Sequence, residues 1–150
     1  MSTKQYVVFS IDGEEFGLSI ENISSIERML EIFKIPNAPD YIEGLANLRG
    51  KVHTIFNLRK RFNLPSTEFD DNTKIIIVNT SSAEIGIIVD EVHEIVKVDE
   101  DQFSPMPNAL SNLKDKFLSG TAKIDDRLIM ILDSEKVLSD KDAELIAKTE

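Results

Sequence analysis

The sequence predicts an all-β protein, and three observations carry that prediction. Runs of β-forming residues recur along the chain, among them Tyr6-Val7-Val8-Phe9 and Ile75-Ile76-Ile77-Val78. Turn-forming pairs separate such runs at close spacing: Asp12-Gly13, Arg49-Gly50 and Asp125-Asp126. The chain also resembles itself at a nearly constant offset. Many short strands with frequent turn signals point to small barrels or a sandwich.

The elements follow in order. Gln5 to Ile11 forms the first strand, Asp12-Gly13 the hairpin turn, and Glu15 to Ser19 the returning strand. Ile20, Ile23 and Ile26 then fall every third residue, which predicts a short helical turn before the chain extends again. Residues 34–40 form a loop, because Pro36 and Pro39 exclude a regular helix. Glu43 to Leu48 and Lys51 to Phe56 are two strands around Arg49-Gly50, and Leu58 to Phe62 is one helical turn. Ser66 to Asn72 is a polar, acidic loop. Lys74 to Asn79 and Glu84 to Val89 form the next hairpin, followed by a short strand from Glu94 to Val98. Gln102 to Asn112, with Pro105 and Pro107, is expected to be loop. Phe117 to Ile124 and Arg127 to Leu132 pair around Asp125-Asp126. Ser139 to Lys148 is expected to be helical, with Ser139 as cap and Leu145 and Ile146 on its apolar face.

The self-similarity is specific in its positions. Glu15-Phe16-Gly17-Leu18 aligns with Glu84-Ile85-Gly86-Ile87, and the preceding strands keep that register. Gly44 to Phe62 resembles Gly120 to Leu138 at a slightly larger offset. The expectation is one domain over 1–150 made of two pseudo-symmetric subdomains, about 5–65 and 73–138. A pair of small barrels leaves a seam between them, and such seams are common binding sites.

Composition narrows the function. The net charge of −10 repels phosphate backbones and anionic membrane surfaces. Without cysteine there is no disulfide, thiolate chemistry or Cys-based zinc site, which fits a reducing cytoplasm. The polar start of the chain is expected to carry no signal peptide, and no apolar run approaches a membrane span. Asp70-Asp71, Asp99-Glu100-Asp101 and Asp125-Asp126 fall in expected turns, as solvated acids do, and Asp99-Glu100-Asp101 lacks the pattern of a calcium loop. His53 and His93 have no carboxylate at a ligand spacing, and the six glycines are scattered singly, so no phosphate loop is present. No catalytic residue, metal ligand or cofactor is assigned. A triad assembled in space is the remaining enzymatic alternative.

The run Asn47-Leu48-Arg49-Gly50-Lys51-Val52, continuing through Ile55-Phe56-Asn57-Leu58-Arg59-Lys60-Arg61-Phe62, resembles the signature of the CheW family of chemotaxis adaptors. So do Phe16-Gly17, Ile35-Pro36-Asn37-Ala38-Pro39, Tyr41-Ile42-Glu43-Gly44, Gly86 with Val89-Asp90, and Leu118-Ser119-Gly120. The likeness covers about residues 5–138. Thr54, Asn57 and Ser25 depart from it, standing where the family usually has Pro, Asp and an acidic residue.

The resemblance implies a fold of two interlocked SH3-like five-stranded β-barrels. It implies a non-catalytic scaffold, without cofactor, that bridges the cytoplasmic tip of a methyl-accepting chemoreceptor and the regulatory domain of the histidine kinase CheA. Such a protein is a monomer alone and part of receptor arrays at the inner face of the membrane. It binds no nucleic acid and does not insert in the membrane. An adaptor for a non-chemotaxis histidine kinase is the alternative. Carried over by position, Ile23, Ile26, Val92, Ile95 and Gly86 are receptor-binding candidates. Gly44, Asn47, Arg49 and Gly50 are partner-interface or structural candidates, with Arg49 expected to brace a carbonyl or an acid such as Glu43.

Overall fold

The computed structural model describes residues 3–105 and 117–138. The first half holds β1 (Thr3–Ile11), β2 (Glu14–Ser19), β3 (Ile23–Arg28), β4 (Ile42–Leu48), β5 (Lys51–Asn57) and the single helical turn α1 (Leu58–Arg61). The second holds β6 (Lys74–Asn79), β7 (Glu84–Val89), β8 (Glu91–Asp99), β9 (Phe103–Pro105), β10 (Leu118–Ile124), β11 (Arg127–Leu132) and α2 (Ser134–Val137). The hairpin turns form because Asp12, Gly13, Arg49 and Gly50 adopt positive φ, which matches the twist of the flanking strands.

The strands form two sheets, in the orders β8-β1-β2-β11-β10-β9 and β3-β6-β7-β5-β4. Each sheet takes strands from both halves of the chain. Strands that correspond in the sequence repeat hold the same place in the two orders: β1 and β6, β2 and β7, β3 and β8, β4 and β10, β5 and β11. In both sheets two antiparallel hairpins meet through a parallel contact, β2 with β11 and β7 with β5. The ladders are open-ended, and the chain itself joins their ends. β8 leads through a 3-10 turn into β9, which pairs with β10, and beyond β3 Phe33 bridges to Leu45 of β4.

Strand alternation explains the unbroken apolar runs. Along β1, Tyr6 and Val8 enter one cluster while Phe9 and Ile11 enter another. Along β6, Ile75 and Ile77 enter a third while Ile76 and Val78 join Phe9 and Ile11. Two clusters are therefore interior to one sheet each, and the largest lies between the sheets. In that shared cluster Phe9, Phe16, Phe62 and Phe117 contact in sequence, the first pair stacked and the next two tilted, with centroid separations of 5.9, 5.5 and 5.2 Å. Gly17 and Gly86 turn toward the sheet interiors. A Cβ on Gly86 would lie 2.5 Å from Ile55 Cδ1 and 2.9 Å from Ile75 Cγ2.

Two expectations change, and β8 begins three residues earlier than expected, at Glu91. Ile20–Asn22 alone form the helical turn; Ile23 and Ile26 lie in β3, and their spacing accompanies an extra residue at Ser24, where the register with β6 shifts. Within the expected loop 102–112, Phe103–Pro105 form β9, because β10 supplies a ladder whose edge admits Pro105. The Ser139–Lys148 helix lies outside the described residues. α2, by contrast, is capped at Asp133, whose side chain accepts the Glu135 N–H, as Asn57 caps α1.

Gly44 has φ 147° and its missing Cβ would strike the Phe33 carbonyl; a Cβ on Gly120, its counterpart, would strike that of Ser104. Gly44→Ala and Gly120→Ala are expected to lose about 2 kcal/mol or more of stability, since a backbone atom must move. Gly13→Ala meets no atom within 4 Å and strains only the turn. Urea denaturation of the three variants measures the difference.

Candidate functional site

Each helical turn grips the hairpin tip belonging to the other sheet. Arg59 of α1, which follows β5, reaches 3.5 Å to Asp12 in the β1–β2 turn. Glu135 of α2, which follows β11, accepts the N–H and hydroxyl of Ser81 in the β6–β7 turn. Arg59 also forms a bidentate pair with Asp90, at 2.9 and 2.6 Å, where the chain crosses from β7 to β8. Asp90 Oδ2 accepts the Asp12 N–H as well. Burial pushes the Asp90 carboxyl up, but the Arg59 hydrogen bonds, the Asp12 amide and the Arg59 charge hold it below the ordinary aspartate value. Arg61 adds a further tie: it lies 4.3 Å over Tyr41 and 4.9 Å over Phe117, and its Nε donates to the Val137 carbonyl.

These ties fix the junction beside which the two edge strands run. Ile23 of β3 and Val92 of β8 are half-buried and pack against the one shared cluster. Ile26 and Ile95, three residues further along the same strands, are 41% and 58% exposed. The four residues thus form two equivalent pairs, each with one member anchored in the junction and one facing solvent. Gly86 does not join them. It is buried, and its bare Cα is needed to admit Ile55 and Ile75.

The remaining candidates surround the β4–β5 hairpin. Asn47 Oδ1 accepts the Gly50 N–H at 2.9 Å, which braces the turn. Arg49 is largely exposed and its partner is Glu27 of β3 at 3.5 Å, not Glu43. Glu43 is occupied by Asn57 Nδ2 and Lys60. Gly44 is buried at the β4 bulge, a packing position.

Sequence reasoning missed a polar cluster centred on Glu84. His53 Nε2 meets Glu84 Oε1 at 2.8 Å, and Ser24 donates to Glu84 Oε2 at 2.8 Å. Those bonds, His53 first, hold the Glu84 carboxyl below its ordinary value. No sequence signal joins residues so far apart in the chain. The carboxylate sits between hydroxyl and imidazole, so the His53 imidazole does not face the Ser24 hydroxyl and does not activate it. Among the described residues no three His, Asp or Glu side chains cluster as metal ligands, and no helix is long and apolar enough to cross a membrane.

Comparison with known proteins gives consistent matches. The CheW-like domain family matches residues 5–142. The chemotaxis protein CheW of Bacillus subtilis is 35% identical over 135 residues, covering 90% of this chain and 86% of the relative. That of Klebsiella aerogenes is 30% identical over 143 residues, covering 95% and 86%. The crystal structure of the scaffolding protein TtCheW from Thermoanaerobacter tengcongensis superposes with a TM-score of 0.86 at 35% identity, covering 94% of this chain and 96% of that one.

Asp90→Asn removes the counter-charge of an Arg59 side chain only 15% exposed. The change is expected to cost about 2 kcal/mol at neutral pH. Because the folded pKa of Asp90 lies below the unfolded one, its contribution is complete above about pH 4 and fades as pH falls through the folded value. The variant therefore loses less stability than the parent between about pH 4 and pH 2. Denaturant midpoints across that range measure both effects.

Proposed function

Because the chain belongs to the CheW-like domain family, we propose that it bridges the cytoplasmic tip of a chemoreceptor and the regulatory domain of the histidine kinase CheA. The chain is a chemotaxis scaffold and not an enzyme, a statement that family membership carries. It transfers no group. It holds two partners at fixed geometry, so that a small movement of the receptor shifts the active population of the kinase.

What supports this reading is the pair of edge strands beside the shared core. β3 and β8 stand at corresponding ends of the two sheet orders, and each exposes one isoleucine next to a residue rooted in the junction. Two apolar residues flanking a junction suit a helical hairpin with apolar positions on one face. The same reading takes residues 1–150 as one domain of two pseudo-symmetric subdomains, about 5–65 and 73–138, supported by the matching strand orders. It places the protein in the cytoplasm, held near the membrane by receptor arrays, where many weak contacts add avidity. Asn47, Arg49 and Gly50 then present the β4–β5 turn to a partner, with the Arg49–Glu27 pair setting its pose.

The exposed residues separate docking from folding. Ile26→Asp and Ile95→Asp are expected to change stability by no more than about 0.5 kcal/mol and to weaken binding of a receptor cytoplasmic fragment at least about tenfold. Val92→Asp places a charge against the shared core and is expected to cost about 2 kcal/mol or more. Isothermal titration with receptor and kinase fragments, beside thermal melts, reads both quantities. Unchanged receptor affinity in the two isoleucine variants would remove β3 and β8 from the interface.

A further inference from the structure

Glu15 and Glu84 occupy matching positions in the repeat, at the start of the second strand of the first hairpin in each half, and both are hubs. Glu15 is held by Arg127 of β11 through two bonds, Nε at 3.0 Å and Nη2 at 2.7 Å. Arg127 Nη2 also reaches Glu94 of β8 at 2.6 Å. The link therefore runs from edge strand β8, through Arg127, to β2. In the other sheet, Glu84 of β7 holds Ser24 of edge strand β3 and His53 of β5. The same position thus ties an edge strand across its sheet in both places, by different chemistry.

The ties fall where the ladders are weakest. Ser24 is the extra residue of the β3 bulge, between Ile23 and Ser25 in the pairing with β6. Glu94 lies in β8 between Val92 and Ile95, where the pairing with β1 shifts register. A bulge leaves its residues outside the ladder, so a side-chain bond there restrains what backbone pairing does not.

We infer that Glu15 with Arg127, and Glu84 with Ser24 and His53, are positioning residues that hold the bulged edge strands β8 and β3 in the pose that docks the receptor tip. The inference rests on the proposed function and deepens it. The two clamps differ in kind. The Glu94–Arg127–Glu15 clamp joins partly exposed charges, with side-chain exposures of 47, 38 and 30%. Salt screens it. The Glu84 clamp is anchored on a His53 side chain that is 3% exposed, at a core place filled by Ile129 in the other sheet. Charge screening therefore weakens the β8 clamp more than the Glu84 clamp.

The test uses the full chain, with a soluble receptor cytoplasmic hairpin as probe and the kinase regulatory domain as control. Arg127→Gln is expected to speed amide exchange in β8 and leave β4 and β5 unchanged. Tip affinity falls by the fraction of chains whose β8 leaves the docking pose, roughly threefold to tenfold, while kinase affinity holds. Arg127→Lys, which keeps the charge without the fork, recovers part of the loss. Glu94→Gln, an exposed change that cuts one arm only, gives the same pattern if Arg127→Gln folds poorly. Ser24→Ala does the same for β3, with a smaller salt dependence than Arg127→Gln. Unaltered exchange in β8, or equal losses toward tip and kinase, overturns the inference. If the parent chain fails to bind the tip, the proposed function falls and the clamp's role with it. If the parent binds and the variants match it, the clamp alone is wrong.

Discussion

The structure depends on one shared core. Each sheet has an interior cluster of its own, but its opposite face is as apolar as the first. Phe9, Ile11, Phe16 and Leu18 cover that face on the six-stranded sheet, and Ile76, Val78, Ile85 and Ile87 on the five-stranded one. Neither face is tolerable in water, so the two sheets require each other. The central strands β1 and β6 therefore bury both faces, which is why they carry unbroken apolar runs where a surface strand would alternate.

Strand exchange makes that core hard to open. β1 and β2 leave their own half to pair within the sheet of β8 to β11, while β6 and β7 join β3, β4 and β5. Separating the sheets would break the crossings at β2–β3 and β7–β8 along with the apolar contact. One polar tie sits at the β7–β8 crossing and another at the β6–β7 hairpin tip. Arg59 and Asp90 lock one crossing and Glu135 holds the opposite hairpin tip. A rigid junction suits a scaffold, whose output is the relative placement of its partners.

Likeness of the two sheets has produced unlike surfaces. Buried His53 stands where the other sheet has Ile129, and exposed Lys51 where it has Arg127. Equivalent backbone positions can diverge in this way because the ladder fixes only where a side chain points, and the chemistry there is free to follow the partner.

Hairpins were legible because their causes are local: Asp12-Gly13 and Arg49-Gly50 dictate turns, and β-forming runs dictate strands. The repeat was legible because paired glycines and acids keep their order. β9 was not, since Phe103–Pro105 extends only to meet β10. Nor was the Glu84 hub, which joins residues that no spacing rule connects. A glycine's address in sequence says that space is short, not whether solvent or a side chain fills it, and at Gly86 the neighbour is Ile55. By itself, then, the sequence determined the all-β class, the hairpins and the family. Tertiary structure alone decided which strands trade sheets, which face of each isoleucine pair meets solvent and which acids hold the edges. Those outcomes arise from contacts between residues far apart in the chain, and such contacts exist only after the shared core has formed.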